Sequence, residues 1–229
     1  MSRSNPGEGK KAPNICKRWI EWNGSQGRFE YYDREKEKKI EVPLPLTVLV
    51  LDCTATVTGW DDESDSKVYS SEVRDLNQPL TVKSFKGGEI AVGPWSAIRD
   101  KVKARGGKFT QNIYSAVKDG DELILACVQF AGAALKPWLD FRNDNKNAID
   151  TDAVKIASYV EGKKGSIKYR VPVFELVPVS AETNELARGI DKQLQSYLNG
   201  TVSENSTRGV GDATGEAAKD SDLDSDIPF

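Results

Sequence analysis

Residues 46–60 read LTVLVLDCTATVTGW, and this stretch constrains the fold more than any other. Over its second half, Leu49, Leu51, Cys53, Ala55 and Val57 fall on one side. Asp52, Thr54, Thr56, Thr58 and Trp60 fall on the other. Period-two alternation belongs to a strand with one side on a core and the other open to water. A barrel wall with a wet, Thr-lined groove outside is the expectation.

The flanking sequence is punctuated for more strands. KRWIEW and GRFEYY flank NGSQ and read as a hairpin around Asn23-Gly24. KVYSSEV, LTVKSF and IAVG follow, the last two joined by KGGE. GPWSAIRDKVKARGG is a short helix, with Pro94 near its start, Gly106 past its end, and Trp95, Ile98 and Val102 facing the core. KFTQNIYSAV and ELILACVQFA are strands joined by KDGD, and the continuous apolar character of the second makes it central. KPWLDF is a helical turn, and AVKIASYV pairs with SIKYRVPVFELV across EGKKG. A last helix over 181–198 has Ser180 as N-cap and Leu186, Ile190, Leu194 and Tyr197 on one face, with Asn199-Gly200 ending it.

In the central segment the order is strand, strand, strand hairpin, helix, strand, strand. That order suits a five-strand Greek-key barrel with a helix between its third and fourth strands, the OB-fold; other small barrels fit it too. The expected fold class is all-β with a few helices: an elaborated OB-fold with added hairpins over 15–198. A disordered 1–14 precedes it. A flexible linker over 199–219, with a reach on the order of 25 Å, leads to a disordered acidic segment over 220–229.

Composition narrows the chemistry. The 229 residues, 38% hydrophobic, suffice for one sizeable core. There is no histidine, which removes the commonest metal ligand and general base and every Ser-His or Cys-His nucleophile pair. Cys16, Cys53 and Cys127 are odd in number and far apart, so a reducing cytoplasm without disulfides is expected. No apolar run approaches the roughly 18 residues of a membrane span, and the opening residues lack the apolar region of a secretory signal. Residues 199–229 carry two Lys/Arg against seven Asp/Glu, and residues 1–198 carry 30 against 28. A basic groove must therefore come from local placement.

Two acid- or phosphate-type motifs fail on spacing. PGEGKK lacks the spacing of a phosphate loop and the strand that would aim it. DDESD, Asp61 to Asp65, could offer oxygens to a divalent ion, but without calcium-loop spacing it reads as a solvated hairpin tip. No cofactor, metal or catalysis is expected.

A stronger signal lies in aromatics and cations that alternation places on polar faces. Single-stranded nucleic acid is held by cations along a groove and by aromatic faces worth about 1–3 kcal/mol per stacked base. Trp60 follows the Thr row, Phe85 shares a face with Lys83, and Tyr114 lies on the strand that Lys108 opens. Phe174 shares a face with Lys168 and Arg170, beside Lys163 and Lys164 in the turn, and Trp22, Tyr31 and Tyr32 crowd the first hairpin. Each of these aromatics could equally pack within a sheet, and each lysine could simply be solvated. The set carries the signal.

The sequence ends on DSDLDSDIPF. Four mutually repelling aspartates do not fold, yet Ile227 and Phe229 are types a chain buries, so a partner is expected to hold them. Here the sequence resembles the acidic C-terminal tip of bacterial single-stranded DNA-binding proteins. GRFEYYD, PLTVLVLDCTATVTGW, KVYSSEV and GKFTQNIYSAV resemble the single-stranded DNA-binding proteins of tailed bacteriophages, over much of residues 27–141. The resemblance implies an elaborated OB-fold that coats single-stranded DNA in phage replication, recombination and repair, in the cytoplasm of an infected bacterium. It implies that Asp222, Asp224, Asp226, Ile227, Pro228 and Phe229 recruit a polymerase, helicase or recombinase. A single-strand annealing or recombination mediator, a metal-dependent nuclease using Asp61 to Asp65, and a protein-binding adaptor are the competing readings. Exposed strand edges leave a homodimer open.

Overall fold

The structure, a computed structural model, describes residues 15–202. The expected segment 1–14, the expected 199–219 linker beyond residue 202 and the expected acidic tip 220–229 lie outside the described residues. The alternating stretch forms one 16-residue strand, Leu46–Asp61, the spine of the sheet. Eleven strands join in that sheet: β1 (Arg18–Asn23), β2 (Arg28–Asp33), β3 (Lys38–Val42), β4 (Leu46–Asp61), β5 (Ser66–Ser70), β6 (Leu80–Ser84), β7 (Gly88–Gly93), β8 (Gly107–Asp119), β9 (Glu122–Ala131), β10 (Ala153–Lys164) and β11 (Ile167–Val177). The α-helices are α1 (Trp95–Ala104), α2 (Leu135–Asp144) and α3 (Ala181–Val202). The chain is thus mostly β with a few helices, as expected.

Strand order is β3-β2-β1-β9-β8-β4-β5-β6-β7, and the β10–β11 hairpin attaches to the first residues of β4. All pairs are antiparallel except β1 with β9, where Arg18–Glu21 run alongside Ala126–Gln129. A five-strand barrel is not what this path draws. Among the described residues β3 pairs with β2 alone and β7 with β6 alone, so the path is open. The reason lies at β9: the first hairpin occupies its free edge and extends the sheet.

β4 also departs from simple alternation. Val50 pairs with Ser115 and Asp52 with Tyr114, so Leu51 is an extra residue in a bulge. A bulge swaps the faces on either side of it. Cys53, Ala55 and Val57 therefore share the core side with Leu46 and Val48, while Leu49 and Leu51 join the other, outer side.

The core side is covered by α2 and α1. Phe130, Trp138, Ile20, Phe29 and Val154 pack around α2; Val57, Val82, Phe109 and Leu80 pack around Trp95, Ile98 and Val102 of α1. The outer side is covered at one end only, by α3, whose Ala187, Leu194 and Leu198 lie on Leu49, Ala116, Leu125 and Cys127. Ser180 caps α3, accepting the Thr183 N–H at 3.1 Å. The buried stripe differs from the expected one: Leu186 is 58% exposed, and Ala187 faces the sheet because its small side chain lets the helix approach. The helix also runs past Asn199-Gly200 to Val202. All three cysteines are free.

Candidate nucleic-acid interface

Beyond the reach of α3, the outer side of β8, β4, β5 and β6 carries cations and aromatics in register. Lys108 faces Thr58, Thr58 faces Tyr69, and Tyr69 faces Lys83. One step along, Trp60 faces Lys67, and the Phe85 N–H donates to the Lys67 carbonyl at 2.9 Å. Neighbouring strands lie about 4.8 Å apart and diagonal positions about 7–8 Å. Trp60, Tyr69 and Phe85 thus step diagonally across three strands, with Lys67 and Lys83 between them. Phe85 is 68% exposed, the largest exposure among the large apolar side chains described. The other members are half-buried.

The position of Trp60 is fixed from beneath. Arg105, just after α1, donates from Nε and Nη2 to the Asp61 carboxylate at 3.0 and 2.6 Å. Ser64 Oγ donates to it at 2.5 Å and is bonded to Ser84, which meets Ser66 at 2.8 Å. Two charge-assisted bonds from one guanidinium make a strong, oriented pair. The guanidinium, ahead of the Ser64 hydroxyl, holds the Asp61 carboxyl well below the usual carboxylate range, against a burial effect that opposes it. Gly106, with φ +71°, closes the lock: a Cβ there would lie 1.9 Å from the Trp60 carbonyl oxygen. Asp61 is thus committed to Arg105 and does not stand among solvated acids. The neighbouring Glu63 and Asp65 make the β4–β5 turn acidic, and Glu89 faces Lys83 from β7. These carboxylates border the basic strip.

The structure brings together Trp60, Lys83, Phe85 and Lys108 of the expected residues and adds Lys67 and Tyr69. The alternation of KVYSSEV already placed those two on one face; the missing information was which face.

Other expected residues lie elsewhere. Tyr114 is fully buried beneath α3, edge-on to Trp19 at 6.4 Å, with its hydroxyl donating to Glu72 at 2.7 Å. Thr54 and Thr56 are buried too, bonded to Glu72 and Ser70 at 2.7 and 3.1 Å. The expected wet Thr groove is closed because the chain after β5 runs back along β4, with Val73 bridging Ala55. Phe174 packs into the core against Phe130, Trp138 and Phe141. None of these three aromatic or hydroxyl sets can meet a base.

Trp22 is half-buried, edge-on to Phe29, and donates its indole N–H to the Arg170 carbonyl at 2.9 Å. Arg170 is itself occupied, bonded to the Ser25 carbonyl and paired with Glu161 at 3.2 Å. Both act as a clamp between the two hairpins. Tyr31 lies under the Arg18 guanidinium, 4.9 Å from its ring, and Tyr32, 37% exposed, points to the opposite side of β2. Lys163, Lys164 and Lys168 are exposed at the tip of the β10–β11 hairpin, where Lys163 directly faces Lys168. Like charges placed opposite each other repel, which makes this tip a second point of attraction for anions. It leaves β4 at Leu46, heading away from Trp60, so the two basic groups sit at opposite ends of β4.

No protein-family model matches this chain, and no curated protein or solved structure does either.

Proposed function

We propose that this chain binds single-stranded DNA, without catalysis, across the outer side of β8, β4, β5 and β6. One observation carries the reading: Trp60, Tyr69 and Phe85 alternate with Lys67, Lys83 and Lys108 on one open sheet face. Aromatic faces stack on any base and lysines meet the phosphates between, which makes binding tight and tolerant of sequence. A sheet face with stacking aromatics is a recurrent platform for single strands.

The OB-fold enters here as part of the proposal. β6-β5-β4-β8-β9 are consecutive neighbours, α1 precedes β8, and β4 is long and bulged. These features support an OB-derived unit whose last edge is taken by β1 instead of closing. The DSDLDSDIPF segment and its resemblance to single-stranded DNA-binding protein tips support recruitment of replication, recombination or repair proteins in a phage-infected bacterium.

The test is fluorescence titration with oligo(dT) at rising salt, beside anisotropy of a labelled oligonucleotide. Saturable quenching is expected, with log K falling by about 0.7 per neutralised phosphate per decade of salt. Trp60→Phe should abolish most of the quenching while anisotropy still reports binding. No binding at low salt by either readout overturns the proposal.

A further inference from the structure

On the opposite side of the sheet, beneath α2, lies a pocket of about 260 Å³. Its floor is apolar, from Ala55, Phe109 and Leu139, and three cations line it: Arg74, Lys136 and Arg142. Two of the three are already neutralised. Arg74 donates to Asp52 at 2.6 Å, and Lys136 donates to Asp140 at 2.7 Å. Among the described residues Arg142 has no carboxylate partner; its polar neighbour is the Cys53 thiol. Burial pushes that thiol up to about 11, with the Arg142 charge pulling the other way, so at neutral pH it stays protonated and adds no counter-charge; Asp52, which Arg74 already holds, and Asp150 act on the same site without contacting the guanidinium. A half-buried charge without a counter-charge is costly, and a guanidinium is shaped to take carboxylate or phosphate oxygens in pairs. Gln111, its amide N–H held by the Thr54 carbonyl at 3.0 Å, adds an oriented carboxamide to the wall.

We infer that this pocket binds a compact anion carried on a flat apolar ring, of the size of one nucleotide, with its charged group on Arg142 and its ring against the half-buried Leu76 and Leu139. The volume lies just below the usual range of ligand pockets, so it admits one such unit at a time. Ala55 and Phe109 face away from the Thr58–Lys108 side, so a nucleotide held here is not one stacked on Trp60 or Phe85. The site stands whether or not the outer face binds DNA. Two sources share this chemistry, a free nucleotide and a nucleotide within a strand.

The probe is dTMP, titrated calorimetrically into the full chain, with inorganic phosphate in parallel. Saturable dTMP binding is expected, at least tenfold tighter than phosphate and weakened about tenfold or more in Arg142→Gln. Trp60→Ala should leave it unchanged. The comparison of dTMP with phosphate is made on the wild-type protein and needs no variant to fold. Displacement of bound dTMP by oligo(dT) identifies a strand nucleotide as the ligand, and simultaneous binding of both identifies a free nucleotide. Absence of saturation, equal affinity for phosphate, or indifference to Arg142→Gln in a folded variant would each overturn the inference.

Discussion

Whether an aromatic side chain of this protein meets solvent or core depends on what covers the face on which it stands. Phe85 and Tyr114 both sit on the outer side of the sheet, yet one is 68% exposed and the other fully buried. Phe85→Ala is therefore expected to leave thermal stability within about 0.5 kcal/mol of wild type and to weaken oligo(dT) binding about tenfold. Tyr114→Phe should do the reverse: it removes a donor to Glu72, costs about 1 kcal/mol in denaturant unfolding, and leaves DNA affinity alone. Asp61 makes the sharpest single-residue prediction. Its folded-state carboxyl is held below its ordinary value by Arg105, so the stabilisation is complete above the unfolded value, about pH 4, and drains away as pH falls further. In Asp61→Asn that part of the acid sensitivity should vanish. The neutral side chain loses the two charge-assisted bonds and leaves Arg105 to the exposed Glu63, 3.1 Å from its Nε, so stability at pH 7 should fall by about 2 kcal/mol. An unchanged acid-unfolding profile would show that the pair contributes nothing.

Among the elements, α3 decides how much of the outer face is left open. Its Leu194 is fully buried over Tyr114 and Cys127, so Leu194→Ala should cost about 2–5 kcal/mol, whereas Leu186→Ala, on the exposed side, should be nearly silent. A helical stripe of 186, 190, 194 and 197 and one of 187, 190, 194 and 198 differ by a small rotation. Hydropathy favours the first because Leu outranks Ala. Packing chose the second, because Ala187 fits against Ala116 and Ala153. Most strand identities were legible: the first and last hairpins, the central apolar β9, the Pro94-to-Gly106 helix and the Ser180 cap all follow from local signals, whereas β3, a short Lys- and Glu-rich strand over Lys38–Val42, carried none. The β4 bulge was not. Its alternation reads cleanly from Leu49 to Val57, and only pairing with β8 reveals the extra residue at Leu51.

For the molecule as a whole, two basic regions at opposite ends of β4 imply a dependence on ligand length. Lys67→Ala/Lys83→Ala/Lys108→Ala should reduce the salt slope by about 2 for any oligo(dT). Lys163→Ala/Lys168→Ala should matter only for oligonucleotides long enough to reach the hairpin tip, and an oligomer of about six nucleotides should not sense the change. An equal loss for short and long ligands would place the tip and the strip on one short path. By itself the sequence determined most element types and the pairing of lysines with aromatics, because each depends on neighbours within a few residues, and composition alone gave the near-neutral body. Tertiary structure alone decided that β1 extends β9 in parallel, that α3 and the chain after β5 bury Tyr114, Thr54 and Thr56, and that Phe174 joins the core. Those outcomes depend on which surfaces cover one another across 14 residues of chain, for Thr56 and Ser70, to 42 for Tyr114 and Glu72 and further still for β1 and β9, and alternation names the two faces of a strand without saying what lies against either.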